Sequence, residues 1–309
     1  MDSSTAPVLI ICFDRPEYGA KVIRSVWDSE SDLYLFRDGG GSNEAKELYE
    51  ALFREVKAFR DARNQKTFIR MEPENLGPCD GPFSAIQWFF QNNPHGIVLE
   101  EDVMPQRSMI ETYSKALEEF KGEHSIFALA SATTKNLEVP SPQWAKTPLF
   151  LVWGWASWAD RILAAPFPNS DLTVSKKDLQ RFGSLNARLY MSRELKIFEK
   201  NPKGCWSYHY QTHILQTKMD VLMPQVKFSQ NIGIGKHARR TKDGEDESPN
   251  WLRCMDMAEQ PPTIAPCDEN WIKWQKAMEV AKFRGICHEI RNRLQIRTRI
   301  KNIFRFLTP

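Results

Sequence analysis

Three consecutive acidic residues, Glu100-Glu101-Asp102, directly follow the apolar segment IVL at 97–99. Because such a segment predicts a buried strand, the three carboxylates would stand at its carboxyl end. Carboxylate oxygens in that position suit a hard divalent cation, Mn²⁺ or Mg²⁺, which leaves coordination positions open for phosphate oxygens. Alternation along an extended chain predicts Glu100 and Asp102 on one side and Glu101 on the other. The triplet is a candidate metal site that would neutralise charge on a departing nucleoside diphosphate, with a solvated acidic turn as the alternative.

A histidine pair, His209 and His213, forms a second candidate site because its i, i+4 spacing places both rings on one face of a predicted helix. Together with an acid, the pair could bind zinc and support a metal-dependent hydrolase. No glutamate follows His209, so the HExxH motif is absent. Two histidines on one helix face are more often packing or surface residues, and the hydrolase therefore stands as an alternative.

Two further features could contact a ligand. Asp38 precedes three glycines without a GxxxxGK pattern, so it is interpreted either as part of a flexible turn or as a hydrogen-bond acceptor for a nucleobase imide. Trp153, Trp155 and Trp158 lie within six residues, and indole rings can stack on the C–H groups of a sugar. The tryptophans could form an acceptor platform, or they could fill the core.

Alternating strand and helix patterns must position these residues. The patterns predict strands at 7–13, 33–36, 66–71, 96–99 and 125–131, and helices at 17–27, 43–59, from 81 onwards and at 108–120. This order predicts an α/β fold with a mostly parallel central sheet, helices on both faces, and ligands at the carboxyl ends of the strands. Further along, the sequence predicts a loop at 135–150, strands at 149–152 and 221–228, and helices at 188–200 and 207–218.

The composition excludes several classes of protein. The 309 residues are 41% hydrophobic and 26% charged, which favours a packed core, and a net charge of +3 argues against a nucleic-acid partner. No apolar run is long enough to cross a bilayer, the N-terminus lacks the pattern of a secretory signal, and the six cysteines show no CxxC spacing. We expect a cytoplasmic protein with reduced thiols.

The last segment of the chain, 284–309, carries six arginines and one lysine against a single glutamate. Its apolar residues fall near one helical face, which predicts a basic amphipathic helix. Such a helix suits contact with the inner surface of a membrane, and a C-terminal helix packed on the domain is the alternative.

Four segments of the chain form a recognisable set: PVLIICFDRP at 7–16, the long segment from NLG to VMP at 75–105, WGWASW at 153–158, and VLMPQVKFSQNIGIGKHARRT at 221–241. In this order they resemble the GT-A glycosyltransferases of the bacterial hemolytic-protein-like group, which are related to N-acetylglucosaminyltransferase I. The resemblance implies a nucleotide-sugar transferase domain over 1–250, with an extension at 251–309 that contains the basic helix. The implied reaction moves a sugar from a UDP-sugar to a hydroxyl of a glycan or lipid-linked acceptor, with inversion.

The resemblance also implies a role for each site residue. Asp102 would be the direct ligand of Mn²⁺ or Mg²⁺, and the three tryptophans would border the acceptor site. The implied donor-binding residues are Phe13, Arg15, Asp38, Asn75, Gly77 and Glu101.

This sequence departs from the family pattern at two places. Trp206-Ser207 stands where relatives carry Trp-Asp, whose aspartate resembles the catalytic base. Serine needs help to accept a proton, so His209 is a second candidate for the base. Arg240 stands where relatives carry a histidine that looks like a metal or diphosphate contact, and an arginine there could bind diphosphate without metal. A nucleotide-sugar-binding protein without catalysis therefore stays open as an alternative.

Overall fold

The computed structural model describes residues 5–131, 144–168, 171, 173–183, 185–224 and 227–233. The predicted site residue Arg240, the extension at 251–309 and its basic helix at 284–309 lie outside these ranges. Within them, no helix is both long and apolar enough to span a bilayer.

The described residues form ten strands and eight α-helices, which alternate from β1 to β4. The strands are β1 (Val8–Cys12), β2 (Leu33–Arg37), β3 (Thr67–Met71), β4 (His95–Glu100), β5 (Val103–Pro105), β6 (Ile126–Ala130), β7 (Trp144–Thr147), β8 (Trp155–Trp158), β9 (Asp220–Pro224) and β10 (Ser229–Asn231). The helices are α1 (Pro16–Val26), α2 (Asn43–Asp61), α3 (Gly77–Asn92), α4 (Met109–Glu119), α5 (Ala159–Ala164), α6 (Lys176–Leu179), α7 (Leu185–Lys200) and α8 (Ser207–Thr217), with a 3₁₀ turn at Pro202–Gly204.

Eight of the strands form one sheet in the order β3-β2-β1-β4-β8-β6-β9-β7. Strands β3, β2, β1 and β4 are parallel neighbours, and β6 is parallel to β9. Strand β8 runs antiparallel between β4 and β6, and β7 is antiparallel to β9 at the edge. Strands β5 and β10 form a separate antiparallel pair. The prediction of an α/β fold with a large central sheet is confirmed.

Helices cover both faces of this sheet because its strands are apolar on both sides. All five residues of β1 are buried, and alternate side chains enter two different core clusters. One cluster joins the sheet to α1, α2 and α4, and the other joins it to α3, α5 and α8. This two-sided burial leaves the carboxyl ends of β1, β2 and β4 as the place where polar residues can gather.

Three local predictions were wrong. Helix α3 begins at Gly77 instead of residue 81, because the Asp38 carboxylate accepts hydrogen bonds from the first backbone amides and Pro78 is tolerated in the first turn. No strand forms at 149–152, and the strand β8 lies instead in the tryptophan segment, buried between two neighbours. The predicted loop at 135–150 contains β7, which pairs with β9.

Candidate functional site

A cavity of about 520 Å³ opens at the carboxyl ends of β1 and β4. The first turns of α3 and α8 and the segment after β10 complete its wall. The structure brings together here nine of the predicted site residues: Phe13, Arg15, Asp38, Asn75, Gly77, Glu101, Asp102, Trp153 and Ser207. Polar residues that follow separate strands therefore line one cavity.

The side chain of Arg15 joins the two acidic residues that follow β4. Its Nε donates to Glu101 Oε1 at 3.1 Å, and its Nη2 donates to Asp102 Oδ2 at 2.7 Å. Burial lowers the pKa of Arg15, but the two carboxylates outweigh this effect and raise it overall. Glu101 and Asp102 therefore lie on the same side, contrary to the predicted alternation. The reason is that β4 ends at Glu100 and the chain turns directly afterwards.

Glu101 is a buried structural acceptor for the loop that carries Arg15. Its Oε2 accepts from the backbone N–H of Phe13 at 2.8 Å and from the Tyr49 hydroxyl at 2.6 Å. Burial raises the pKa of Tyr49, and the neighbouring Cys12 and Glu101 raise it further, so that phenol stays a hydrogen-bond donor. Since its oxygens accept from these protein groups, Glu101 fixes the position of Arg15 in the cavity wall.

Asp102 presents a different arrangement. Its Oδ2 binds Arg15, whereas its Oδ1 is buried and has no hydrogen-bond partner among the described residues. The backbone N–H of Ile232 donates to the Asp102 carbonyl at 2.8 Å, which holds the segment after β10 against this residue. A Cβ atom at Gly233 would lie 2.4 Å from Asp102 Oδ2, so only glycine fits this close approach. The unpartnered carboxylate oxygen is the feature of the site that best fits a cation.

Asp38 organises the start of α3. Its Oδ1 accepts from the backbone N–H groups of Gly39 and Leu76, both at 2.9 Å, and its Oδ2 accepts from Gly77 N–H at 3.2 Å. Asn75 Oδ1 accepts from the same Gly77 amide at 2.7 Å. Asp38, Asn75 and Gly77 therefore form one connected wall of the cavity, and any contact from Asp38 to a base would add to these bonds.

A further part of the wall carries Glu100, the first residue of the acidic triplet that is the predicted metal site. Alternation along β4 places Glu100 on the face of α3 and α8, away from Glu101. Its Oε1 accepts from Trp206 Nε1 at 3.3 Å, and the next residue, Ser207, also lines the cavity. The Ser207 hydroxyl lies 3.2 Å from Cys205 Sγ. The position of Glu100 at a strand end follows from the sequence, whereas its pairing with Trp206 depends on the tertiary fold.

The three tryptophans of the predicted acceptor platform separate in the structure. Trp155 and Trp158 are buried in the two core clusters, where Trp158 Nε1 donates to Leu117 O at 2.9 Å. Their rings therefore cannot form a stacking platform, and this part of the prediction is corrected. Trp153 lines the cavity, and the positive φ of 79° at Gly154 turns the chain there from the cavity wall into β8.

The histidine pair lies away from the cavity wall. His209 is buried between the rings of Phe167 and Phe198, and its Nε2 lies 3.2 Å from Pro202 O. Burial lowers the pKa of both His209 and His213. Among the described residues, no group of three or more His, Cys, Asp or Glu side chains is arranged to hold a metal. The described part of the chain therefore gives no support to a zinc site on this pair.

The electrostatics of the cavity favour a cation in company with an anionic ligand. Its described lining carries four carboxylates, Asp38, Glu100, Glu101 and Asp102, and one guanidinium, Arg15, for a formal charge of −3. A diphosphate alone would be repelled by this wall, whereas a Mn²⁺ or Mg²⁺ ion would offset the repulsion. These ions often bind through one or two carboxylates and take their other ligands from phosphate and water. Asp102 Oδ1 could supply one such carboxylate ligand.

Comparisons with known proteins give little further information. No protein-family model matches the chain, and no curated protein matches its sequence. A crystal structure of S. aureus TarS 1–349 matches with 11% identity and a TM-score of 0.38, covering 74% of this chain and 60% of that chain. The chain thus spans less than two thirds of that structure, and a similarity of this size assigns no function.

Proposed function

We propose that this protein is a glycosyltransferase that moves a sugar from a nucleotide donor, a UDP-sugar, to a hydroxyl group of a glycan or lipid-linked acceptor. One observation carries the proposal. Segments that are far apart in the sequence, and that resemble GT-A glycosyltransferases, meet at one acidic cavity at the carboxyl ends of parallel strands. Ligands of α/β proteins bind at this edge of the sheet.

The donor would lie along the wall formed by β1, β2 and the start of α3. Phe13 offers an aromatic ring for the base, and Asp38 offers carboxylate oxygens for an imide or a ribose hydroxyl. Arg15 stands beside Asp102 with its guanidinium held by two carboxylates, so its direction toward a diphosphate is fixed before the ligand binds. This preorganisation lowers the entropic cost of binding.

Mn²⁺ or Mg²⁺ would be held by Asp102, whose Oδ1 is buried and without a hydrogen-bond partner in the described part of the chain. When bound, such a cation supplies positive charge to the leaving diphosphate. Arg240 lies outside the described residues, and its role follows from the sequence alone. A guanidinium at that place would neutralise part of the diphosphate charge beside the metal, or would do so in place of the metal.

The acceptor would enter beside Trp153 and Ser207, on the other side of the cavity. In an inverting transfer, the acceptor hydroxyl attacks the anomeric carbon, the bond from that carbon to the diphosphate breaks, and a protein base takes the hydroxyl proton. Glu100 lines the cavity beside Trp206 and Ser207, and its Oε1 accepts a hydrogen bond from Trp206 Nε1. Its place on the acceptor side makes this carboxylate our candidate for the group that takes the proton. Ser207 would orient the hydroxyl, and His209 is too far inside the core for this role.

Ser207 also keeps a second candidate function open, a nucleotide-sugar-binding protein without catalysis, because it stands where relatives carry an acid. Both functions require binding of the nucleotide sugar, but only the enzyme would convert it to product. Release of UDP from UDP-sugars by the wild type, and its loss in Glu100→Gln with UDP binding retained, would favour the enzyme.

Thermal melting with nucleotides tests the proposal directly. Nucleoside diphosphates and UDP-sugars are added with Mn²⁺ or with EDTA, because a ligand of the folded state raises the melting temperature by mass action. We expect UDP compounds to stabilise the wild type most with Mn²⁺, and Asp102→Asn to lose the Mn²⁺-dependent part. Asp61→Asn, an exposed residue on α2, is the matched control and should behave as the wild type.

The outcomes separate the alternatives. Equal stabilisation in Mn²⁺ and EDTA would indicate a metal-independent site that relies on arginine. Absence of a shift with every nucleotide would contradict the proposed function.

A further inference from the structure

Helix α7 has one face in the core and an opposite face in solvent. Met191, Leu195 and Phe198 are buried, and they join α7 to α8 and the sheet edge through the third apolar cluster. At 100° per residue, these three side chains occupy a sector about 60° wide. The residues on the far side of the helix therefore point away from the protein.

Large aliphatic side chains occupy that far side. Leu185, Leu189 and Ile197 are 66%, 56% and 53% exposed, and they fall within an arc of about 120°. They are the three most exposed of the large hydrophobic residues in the described part of the chain. Single exposed leucines are ordinary, but three on one short helix mark a contact surface.

Basic side chains share the same arc. Lys196 and Lys200 are exposed and lie between the aliphatic residues on the helical projection, and no acidic residue of α7 falls within the arc. Of the two glutamates on α7, Glu194 points to the opposite side, where it accepts a hydrogen bond from the Tyr208 hydroxyl at 3.1 Å. Glu199 lies at the margin. We call Leu185, Leu189, Lys196, Ile197 and Lys200 the outer face of α7.

The combination of aliphatic and basic side chains on one surface indicates which class of partner that surface fits. Long basic side chains can reach lipid phosphates while the aliphatic groups enter the boundary between headgroups and acyl chains. A protein partner with an apolar groove would favour leucines without the surrounding cations, and a nucleic acid would favour cations without the leucines. We propose that the outer face of α7 binds the surface of a membrane that contains anionic lipids.

The position of α7 gives this contact a consequence for the cavity. The helix contacts the 3₁₀ turn Pro202–Gly204, and the next residues, Cys205 to Ser207, line the cavity. Binding through the outer face of α7 would therefore bring this wall of the cavity close to the lipid surface. The proposal stands on the exposed residues of α7 and does not require the proposed function.

Sedimentation with lipid vesicles tests the proposal in the full-length chain. The vesicles contain phosphatidylcholine alone, or phosphatidylcholine and phosphatidylglycerol in equal parts. We expect the wild type to bind the anionic vesicles and to bind them more weakly as salt rises. Leu189→Gln should weaken this binding several-fold, and Leu185→Gln with Leu189→Gln should weaken it roughly tenfold or more.

Leu48→Gln is the matched control because Leu48 is a leucine of α2 that is 50% exposed. It should leave vesicle binding unchanged. Circular dichroism and thermal melting of each variant check that the fold is intact. If the wild type fails to bind anionic vesicles, the proposal is overturned. It is also overturned if the double variant binds as well as the wild type, which would place the contact elsewhere, for example in 284–309.

Discussion

Replacing Glu101 by glutamine should destabilise the whole fold, although the two side chains have nearly the same shape. The carboxylate accepts hydrogen bonds from Tyr49 at 2.6 Å, from the Phe13 amide at 2.8 Å and from Arg15 at 3.1 Å. Glutamine keeps one oxygen acceptor and replaces the other with an N–H₂ group. One donor of this buried set would then face another donor.

The size of the effect follows from these contacts. Removing one partner of a buried ion pair costs about 3–5 kcal/mol, and a lost hydrogen bond to a charged group costs about 1.5–3 kcal/mol. The side chain of Arg15 is 21% exposed and keeps its bond to Asp102, which reduces the cost. We therefore expect the free energy of unfolding to fall by about 2–4 kcal/mol, with a melting temperature lower by several degrees.

Equilibrium unfolding in guanidinium chloride measures this change. Glu118→Gln is the control, because Glu118 is exposed on α4 and its ion pair with Lys121 lies on the surface; it should change stability by about 0.5 kcal/mol or less. A double-mutant cycle with Arg15→Gln should give a coupling energy above about 1 kcal/mol. If Glu101→Gln unfolds at the same denaturant concentration as Glu118→Gln, our account of Glu101 as a structural acceptor is refuted.

Two further predictions concern a close approach and a buried imidazole. Gly233→Ala should separate Arg15 from Asp102, because the added Cβ would lie 2.6 Å from Arg15 Nη1 and 2.4 Å from Asp102 Oδ2. Melting should show a clear loss of stability relative to Gly122→Ala, whose Cβ would meet nothing within 4 Å, and equal melting would contradict the geometry. Burial lowers the pKa of His209 below its ordinary value of 6.5, so in mildly acidic solution the unfolded chain binds a proton that the folded chain does not. The neutral, buried imidazole therefore contributes fully to stability above pH 6.5, and this contribution is lost as the pH falls toward the pKa of His209 in the folded protein. Denaturation at several pH values should show an acid slope that His209→Gln makes shallower, and an unchanged slope would exclude His209 as its source.

The first half of the fold could be predicted because its signals are local. Strands β1 to β4 are short apolar segments, and α1, α2 and α4 have apolar residues at helical spacing, so their bounds in the structure lie within a few residues of the predictions. The carboxyl ends of these strands then indicated where the cavity lies. Strand β8 was not predicted, because a tryptophan-rich segment with a glycine is equally typical of a ligand-binding surface. Its strand conformation depends on pairing with β4 and β6, which the local sequence does not contain.

The identity of the site residues was easier to predict than their roles. Residue type and position at a strand end placed Asp38, Glu101 and Asp102 at one cavity. The partner of Glu101 is Tyr49, 52 positions away in the sequence, and no periodic pattern contains such a pairing. The same holds for Glu100 and Trp206, which are 106 positions apart.

The antiparallel strand β8 has a consequence for the kinetics of the folded protein. It hydrogen-bonds to β4 on one side and to β6 on the other, and all four of its residues are buried. In deuterated solvent, each bonded amide hydrogen of this strand can exchange only when β8 separates from the neighbour that accepts its hydrogen bond. The exchange rates should therefore report the opening of the sheet at its centre, on one side of β8 or the other, and a ligand that binds the folded protein at the cavity beside Trp153 should slow them.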